Sequence, residues 1–128
     1  MNLKKFNKLN AAIGKAGMLP TISFSLRGTI RFNMAAVELL GLKKDTPIEI
    51  LQDTDEPIDW YIHIPTKKED IENAFKTHTF KGKKEVQINS KILAEEFLES
   101  IDEAETKRAR INTQPNEQGY YAILTAGI

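Results

Sequence analysis

Arg27-Gly28-Thr29-Ile30-Arg31-Phe32-Asn33-Met34-Ala35-Ala36-Val37-Glu38-Leu39-Leu40-Gly41-Leu42 is the stretch on which the reading of this chain turns. It combines a basic turn, a short alternating strand, an asparagine placed to cap a helix, and a helix stopped by glycine. A weaker copy follows at Lys81-Gly82-Lys83-Lys84-Glu85-Val86-Gln87-Ile88-Asn89-Ser90-Lys91-Ile92-Leu93-Ala94-Glu95-Glu96-Phe97-Leu98. One unit is therefore expected twice, with Asn89 at the second strand-to-helix junction as Asn33 is at the first.

Working outward, Ile22, Phe24 and Leu26 alternate with Thr21, Ser23 and Ser25, and Ile30 and Phe32 alternate with Thr29 and Arg31. Two half-buried strands around Arg27-Gly28 form a hairpin with a positively charged tip. Met34, Val37 and Leu40 make the apolar stripe of the helix that Gly41 ends. Ile48 to Leu51 and Ile58 to Ile64 are two more strands, separated by an acidic loop holding Asp53, Asp55 and Glu56. Thr66-Lys67-Lys68-Glu69 matches a capping box, and a helical connector is expected over 66–76.

In the second copy, Thr77 to Phe80 is a short first strand and Val86 and Ile88 mark the next. Ile92, Leu93, Phe97, Leu98 and Ile101 define an amphipathic helix. Ala109 and Ile111 point to a third strand, and Tyr120 to Thr125 to the last. Each half thus reads strand, strand, helix, strand, strand. About sixty residues bury too little to stand alone, so the halves are expected to pack around a pseudo-twofold axis with their charged turns side by side. The expected organisation is a basic arm or helix over 1–19 and one domain over 20–128, made of repeats 20–65 and 77–128.

At 128 residues the chain suits a single domain. It has no cysteine, which removes disulfides, thiolate zinc sites and cysteine nucleophiles. No run approaches the length of a membrane span and no signal-peptide pattern appears, so a soluble, cytoplasmic protein is expected. The 18 basic and 18 acidic residues cancel, but they are unevenly spread. Through Val37 the charges are Lys4, Lys5, Lys8, Lys15, Arg27 and Arg31 alone, whereas Glu95 to Glu105 carries six acidic residues and no basic one. A neutral sum therefore conceals a dipolar surface.

Residues 20–65, and more loosely 77–125, resemble the AbrB-like swapped-hairpin family of transition-state regulators and antitoxins. The resemblance rests on Ile22 to Leu26, Arg27-Gly28, Thr29 to Phe32, Met34 to Leu42 with its Leu-Gly-Leu end, the charged turn Lys43 to Thr46, and the two strands that follow. It implies a mostly β, α+β chain whose two ββαββ repeats interleave as a swapped-hairpin barrel and present a basic surface to DNA. The family often has proline where Asn33 stands and arginines where Val37 and Glu38 stand, so the resemblance carries the fold further than the DNA contact.

The function expected is a DNA-binding transcriptional regulator acting on double-stranded DNA, as a monomeric pseudo-dimer or a homodimer. Arg27, Arg31, Lys81, Lys83 and Lys84 at the hairpins, with Lys4, Lys5 and Lys8 in the arm, are the candidate contacts. They are directed mainly at phosphate, with Arg27 the candidate for a guanine edge. The alternative is a non-enzymatic interaction module using the acidic helix or the Trp60-Tyr61 strand, although Trp60 on an alternating strand also reads as core. No enzyme, metal or cofactor is expected. His63 and His78 are isolated, the acidic loop lacks the glycine and terminal glutamate of a calcium loop, and the glycines are scattered.

Overall fold

The computed structural model describes residues 19–79 and 84–125. The chain runs β1 (Thr21–Phe24), β2 (Thr29–Phe32), α1 (Met34–Leu40), β3 (Pro47–Gln52), β4 (Trp60–His63), α2 (Lys68–Asn73), β5 (Phe75–Lys76), β6 (His78–Thr79), β7 (Val86–Asn89), α3 (Lys91–Ser100), β8 (Lys107–Ile111) and β9 (Tyr121–Leu124). The strands form one mostly antiparallel sheet in the order β5-β3-β4-β9-β8-β1-β2-β7-β6. Its two outermost members, β5 and β6, are separated in sequence by Thr77 alone. One segment thus bridges both edges, and the sheet nearly closes into a barrel.

Alternation explains the core. Ile22, Phe24, Ile30, Phe32, Ile62, Val86, Ile88, Ala109, Ile111 and Ile123 point inward from their strands and are buried. Phe97 of α3 enters between the sheet walls, stacked on Phe24 with ring centroids 3.8 Å apart and meeting Trp60 edge-on at 5.5 Å. The Trp60 indole donates to the Ser100 hydroxyl at 2.8 Å, and that hydroxyl donates to the Phe97 carbonyl at 2.6 Å, so the polar edge of the indole is satisfied inside. Trp60 is core.

The first helix follows its sequence cues. The Asn33 carboxamide oxygen accepts from the amide of Ala36 at 2.9 Å and from Thr21 at 3.0 Å, joining helix cap to strand. Gly41, at φ 67°, closes the helix, and its amide and that of Leu42 both reach the Val37 carbonyl. Closure of the barrel depends on Thr77, which is fully buried. Its hydroxyl donates to the Lys43 carbonyl and accepts from the Thr46 amide, while its own amide and carbonyl bond Thr46 and Asp45.

Several expectations need correction. Ser90, not Asn89, caps α3, accepting from Leu93 at 3.2 Å; Asn89 ends β7 and takes a bond from Gln87. The box Thr66-x-x-Glu69 does not form, because α2 begins after Lys67, whose side chain makes no cap bond. Ile92 is 73% exposed, since Ala94, Phe97 and Leu98 form the buried stripe. Leu26 and Ile58 are exposed because β1 ends at Phe24 and β4 begins at Trp60. Of the expected strand Thr77 to Phe80, only His78–Thr79 pairs, as β6 on β7, while β5 on β3 lies just before it at Phe75–Lys76. The N-terminal arm, Phe80 and the turn residues Lys81 and Lys83 lie outside the described residues.

Lys84 also does not join the first charged turn as expected. Because β2 runs antiparallel to β7, the Gly28 carbonyl accepts from the Ser90 amide at the end of β7, whereas Lys84 precedes the start of β7. The first turn and Lys84 therefore sit at opposite ends of that strand.

Gly28 has φ 94°, and a Cβ there would lie 2.8 Å from the backbone of Lys91. Gly28→Ala is expected to cost at least about 2 kcal/mol from strain and overlap. Gly41→Ala, with nothing within 4 Å of a Cβ, should cost about 1 kcal/mol from its left-handed backbone alone. Urea denaturation of the two variants measures the difference. Phe97→Ala, which empties the centre of the aromatic cluster, should lose about 3–5 kcal/mol in the same assay.

Candidate nucleic-acid interface

With one set of side chains committed to the core, the alternate set on β8, β1, β2 and β7 faces outward. Register then dictates who stands beside whom. Arg108 pairs with Ser23, Ser23 with Arg31, Arg31 with Gln87, and Gln87 with His78, a single row crossing five strands. Neighbouring strands are about 4.8 Å apart, so Arg108 and Arg31 stand about 10 Å from one another on the outer surface. On one side of this row Arg110 pairs with Thr21; on the other Thr29 pairs with Asn89.

Arg27 extends the surface from the β1–β2 turn. That turn is held by bonds from the Arg27 amide to the Ser25 hydroxyl at 3.0 Å and from the Gly28 amide to the Ser25 carbonyl at 2.9 Å. The Ser90 amide fixes the turn against α3 through Gly28. Arg27 and Arg31 line a cavity of about 270 Å³ together with the hydroxyl residues Ser23, Ser25, Thr29 and Thr106. Guanidinium groups and hydroxyls are donors, and together they suit an oxyanion such as phosphate.

The electrostatics favour an anion here. The outward residues of β8, β1 and β2 are Arg108, Arg110, Thr21, Ser23, Thr29 and Arg31, with no carboxylate. Arg27, Arg31, Arg108 and Arg110 are all exposed, and none is ion-paired among the described residues. Nearby Glu103 is engaged with Lys107 at 3.6 Å. The acidic side chains Glu95, Glu96 and Glu99 are borne on α3.

Of the expected contacts, Arg27 and Arg31 are brought together, Lys84 is exposed at the far end of β7, and Lys4, Lys5, Lys8, Lys81 and Lys83 lie outside the described residues. Arg108 and Arg110 were not singled out by sequence reasoning. Their alternation with Ala109 and Ile111 marks them as outward, but nothing local says that β8 lies beside β1.

The remaining candidates make local contacts. His63 Nδ1 lies 2.8 Å from Glu49 Oε1 across the β3–β4 pair, and its ring meets Tyr120 at 4.9 Å. Asp53 is occupied in its own loop, accepting from the amides of Asp55 and Glu56. Among the described residues no group of three or more His, Cys, Asp or Glu is placed to hold a metal ion, and no helix is long and apolar enough to cross a membrane. Trp60 is 2% exposed and gives no partner surface. Comparison with family models, curated proteins and solved structures found no match to the chain.

Proposed function

We propose that this protein binds double-stranded DNA through the outer face of β8, β1 and β2, as a transcriptional regulator built from two ββαββ repeats. The observation that carries the reading is the cross-strand row containing Arg108, Ser23 and Arg31, flanked by Arg27 and Arg110. This differs from two turns acting side by side. The contacts come from one sheet face, with the first turn at its margin.

The repeat reading is supported by the pairing pattern. Exchanging the halves carries β1–β2 onto β6–β7, β3–β4 onto β8–β9, and the pairs β2–β7 and β4–β9 onto themselves. The pair β1–β8 goes onto β5–β3. The split of β5 from β6 at Thr77 is then a bulge in the second copy of β1.

Duplex is favoured over single-stranded nucleic acid because the face carries no aromatic side chain on which an unstacked base would lie. Arginines set between short Ser and Thr side chains suit phosphate contacts, which supply affinity and orientation. Transcriptional regulation follows from the AbrB-like resemblance rather than from this surface.

A second reading, a protein-interaction module on α3, is favoured by Ile92, 73% exposed beside exposed Glu95, Glu96 and Glu99. Fluorescence anisotropy with a labelled duplex separates the two. Affinity is expected to fall steeply with salt, and Arg31→Ala and Arg108→Ala should each flatten the log–log salt slope by about 0.9. Glu99→Lys should leave that slope intact. Absence of binding at low salt rejects the DNA reading.

A further inference from the structure

A second cavity, of about 320 Å³, opens on the outer side of β4 and the loop before β9, with β9 between it and the arginine-bearing β8. Tyr61, Tyr120, Asp53, Gln52, Asn116 and Gln118 line it together with Leu51. We propose that it binds a single neutral sugar ring. This inference is independent of the DNA reading.

The chemistry is that of hydroxyl recognition on an aromatic platform. The Tyr61 and Tyr120 ring centroids lie 6.3 Å apart with planes inclined at 51°. Two rings so close and so tilted leave no parallel slot for a flat base between them, while aromatic lining of this kind suits the C–H side of a puckered ring, with His63 packed against Tyr120 at 4.9 Å holding that ring in place. The polar rim is supplied by carboxamides and one carboxylate, planar groups that can engage adjacent hydroxyls two at a time. Among the described residues no Lys or Arg lines the cavity, and Asp53 disfavours an anionic ligand.

The rim is fixed yet retains bonding capacity. The Asn116 side-chain oxygen accepts from the amides of Gln118 and Tyr120, both at 2.9 Å, and its backbone amide bonds the Tyr120 carbonyl. Asp53 Oδ1 accepts from Asp55 and Glu56, and Gln52 Nε2 donates to Pro57. Asn116 Nδ2, Asp53 Oδ2, the Gln118 carboxamide and both phenol hydroxyls make no hydrogen bond within the described residues. The loops are thus anchored through one side of their polar groups while the other side is left for a ligand, an arrangement that lowers the ordering cost of binding.

Saturation-transfer difference NMR on the full chain, with the methyl glycosides of glucose, galactose, mannose and N-acetylglucosamine and with adenosine, tests the proposal. At least one glycoside should receive saturation on its ring protons, with millimolar affinity and more strongly than adenosine. Tyr61→Ala and Gln118→Ala should each weaken it about tenfold. Gln118 is exposed and its side chain supports no described bond, so Gln118→Ala reports on the cavity without disturbing the fold. Transfer to none of the glycosides, binding undiminished in both variants, or preference for adenosine would overturn the assignment. Because the arginine surface is untouched, duplex binding by the same samples succeeds or fails separately.

Discussion

The antiparallel pairing of β2 with β7 is the constraint from which the rest of the molecule follows. It sets Ile30 opposite Ile88 and Phe32 opposite Val86 on the inside, and Arg31 opposite Gln87 on the outside. Residues more than fifty positions apart in sequence become direct neighbours, and neither half of the chain has to close a core alone. The same pairing separates the first turn from Lys84, since Gly28 meets the end of β7 and Lys84 precedes its start.

Closing the sheet creates a second demand. The segment Phe75–Thr79 must pair with β3 at one end and β7 at the other, and a regular strand does not meet both registers. The break at Thr77 solves this, but it turns a polar residue into the interior. An unbonded hydroxyl or amide there would be costly. The bonds from Thr77 to Lys43, Asp45 and Thr46 remove that cost and tie the α1–β3 turn to the barrel at the same time. A buried threonine is therefore a structural clasp.

Electrostatic character is divided by face in a chain with no net charge. Arginines and hydroxyls share the outer side of β8, β1 and β2, glutamates line the outer side of α3, and tyrosines with carboxamides surround the cavity by β4 and β9. On the strands this follows from alternation: once the apolar partner of each pair is buried, its neighbour must meet solvent. The proposed DNA contact and the proposed sugar site use different residues and different chemistry, so neither requires the other.

Much of this was legible residue by residue. Asn33 as a cap, Gly41 as a stop, the alternating strands around Ile30 and Ile62, and Trp60 as core all follow from local preferences that act within a few residues. The stretch after α2 was harder to read because β5 and β6 are two residues each, and because Ser90 and Asn89 are both competent caps whose choice depends on where β7 ends. Ile92 looked like part of an apolar stripe until Phe97 fixed which side of α3 faces inward.

The sequence by itself determined most of the longer elements and the alternation within them, since backbone propensity and side-chain period are properties of neighbouring residues. Only the tertiary structure decided that Arg108 stands beside Ser23 and Arg31, that Tyr61 meets Tyr120, and that Thr77 closes the barrel. Those adjacencies arise from strand order and register, which depend on how the whole core packs and which no local stretch of sequence specifies.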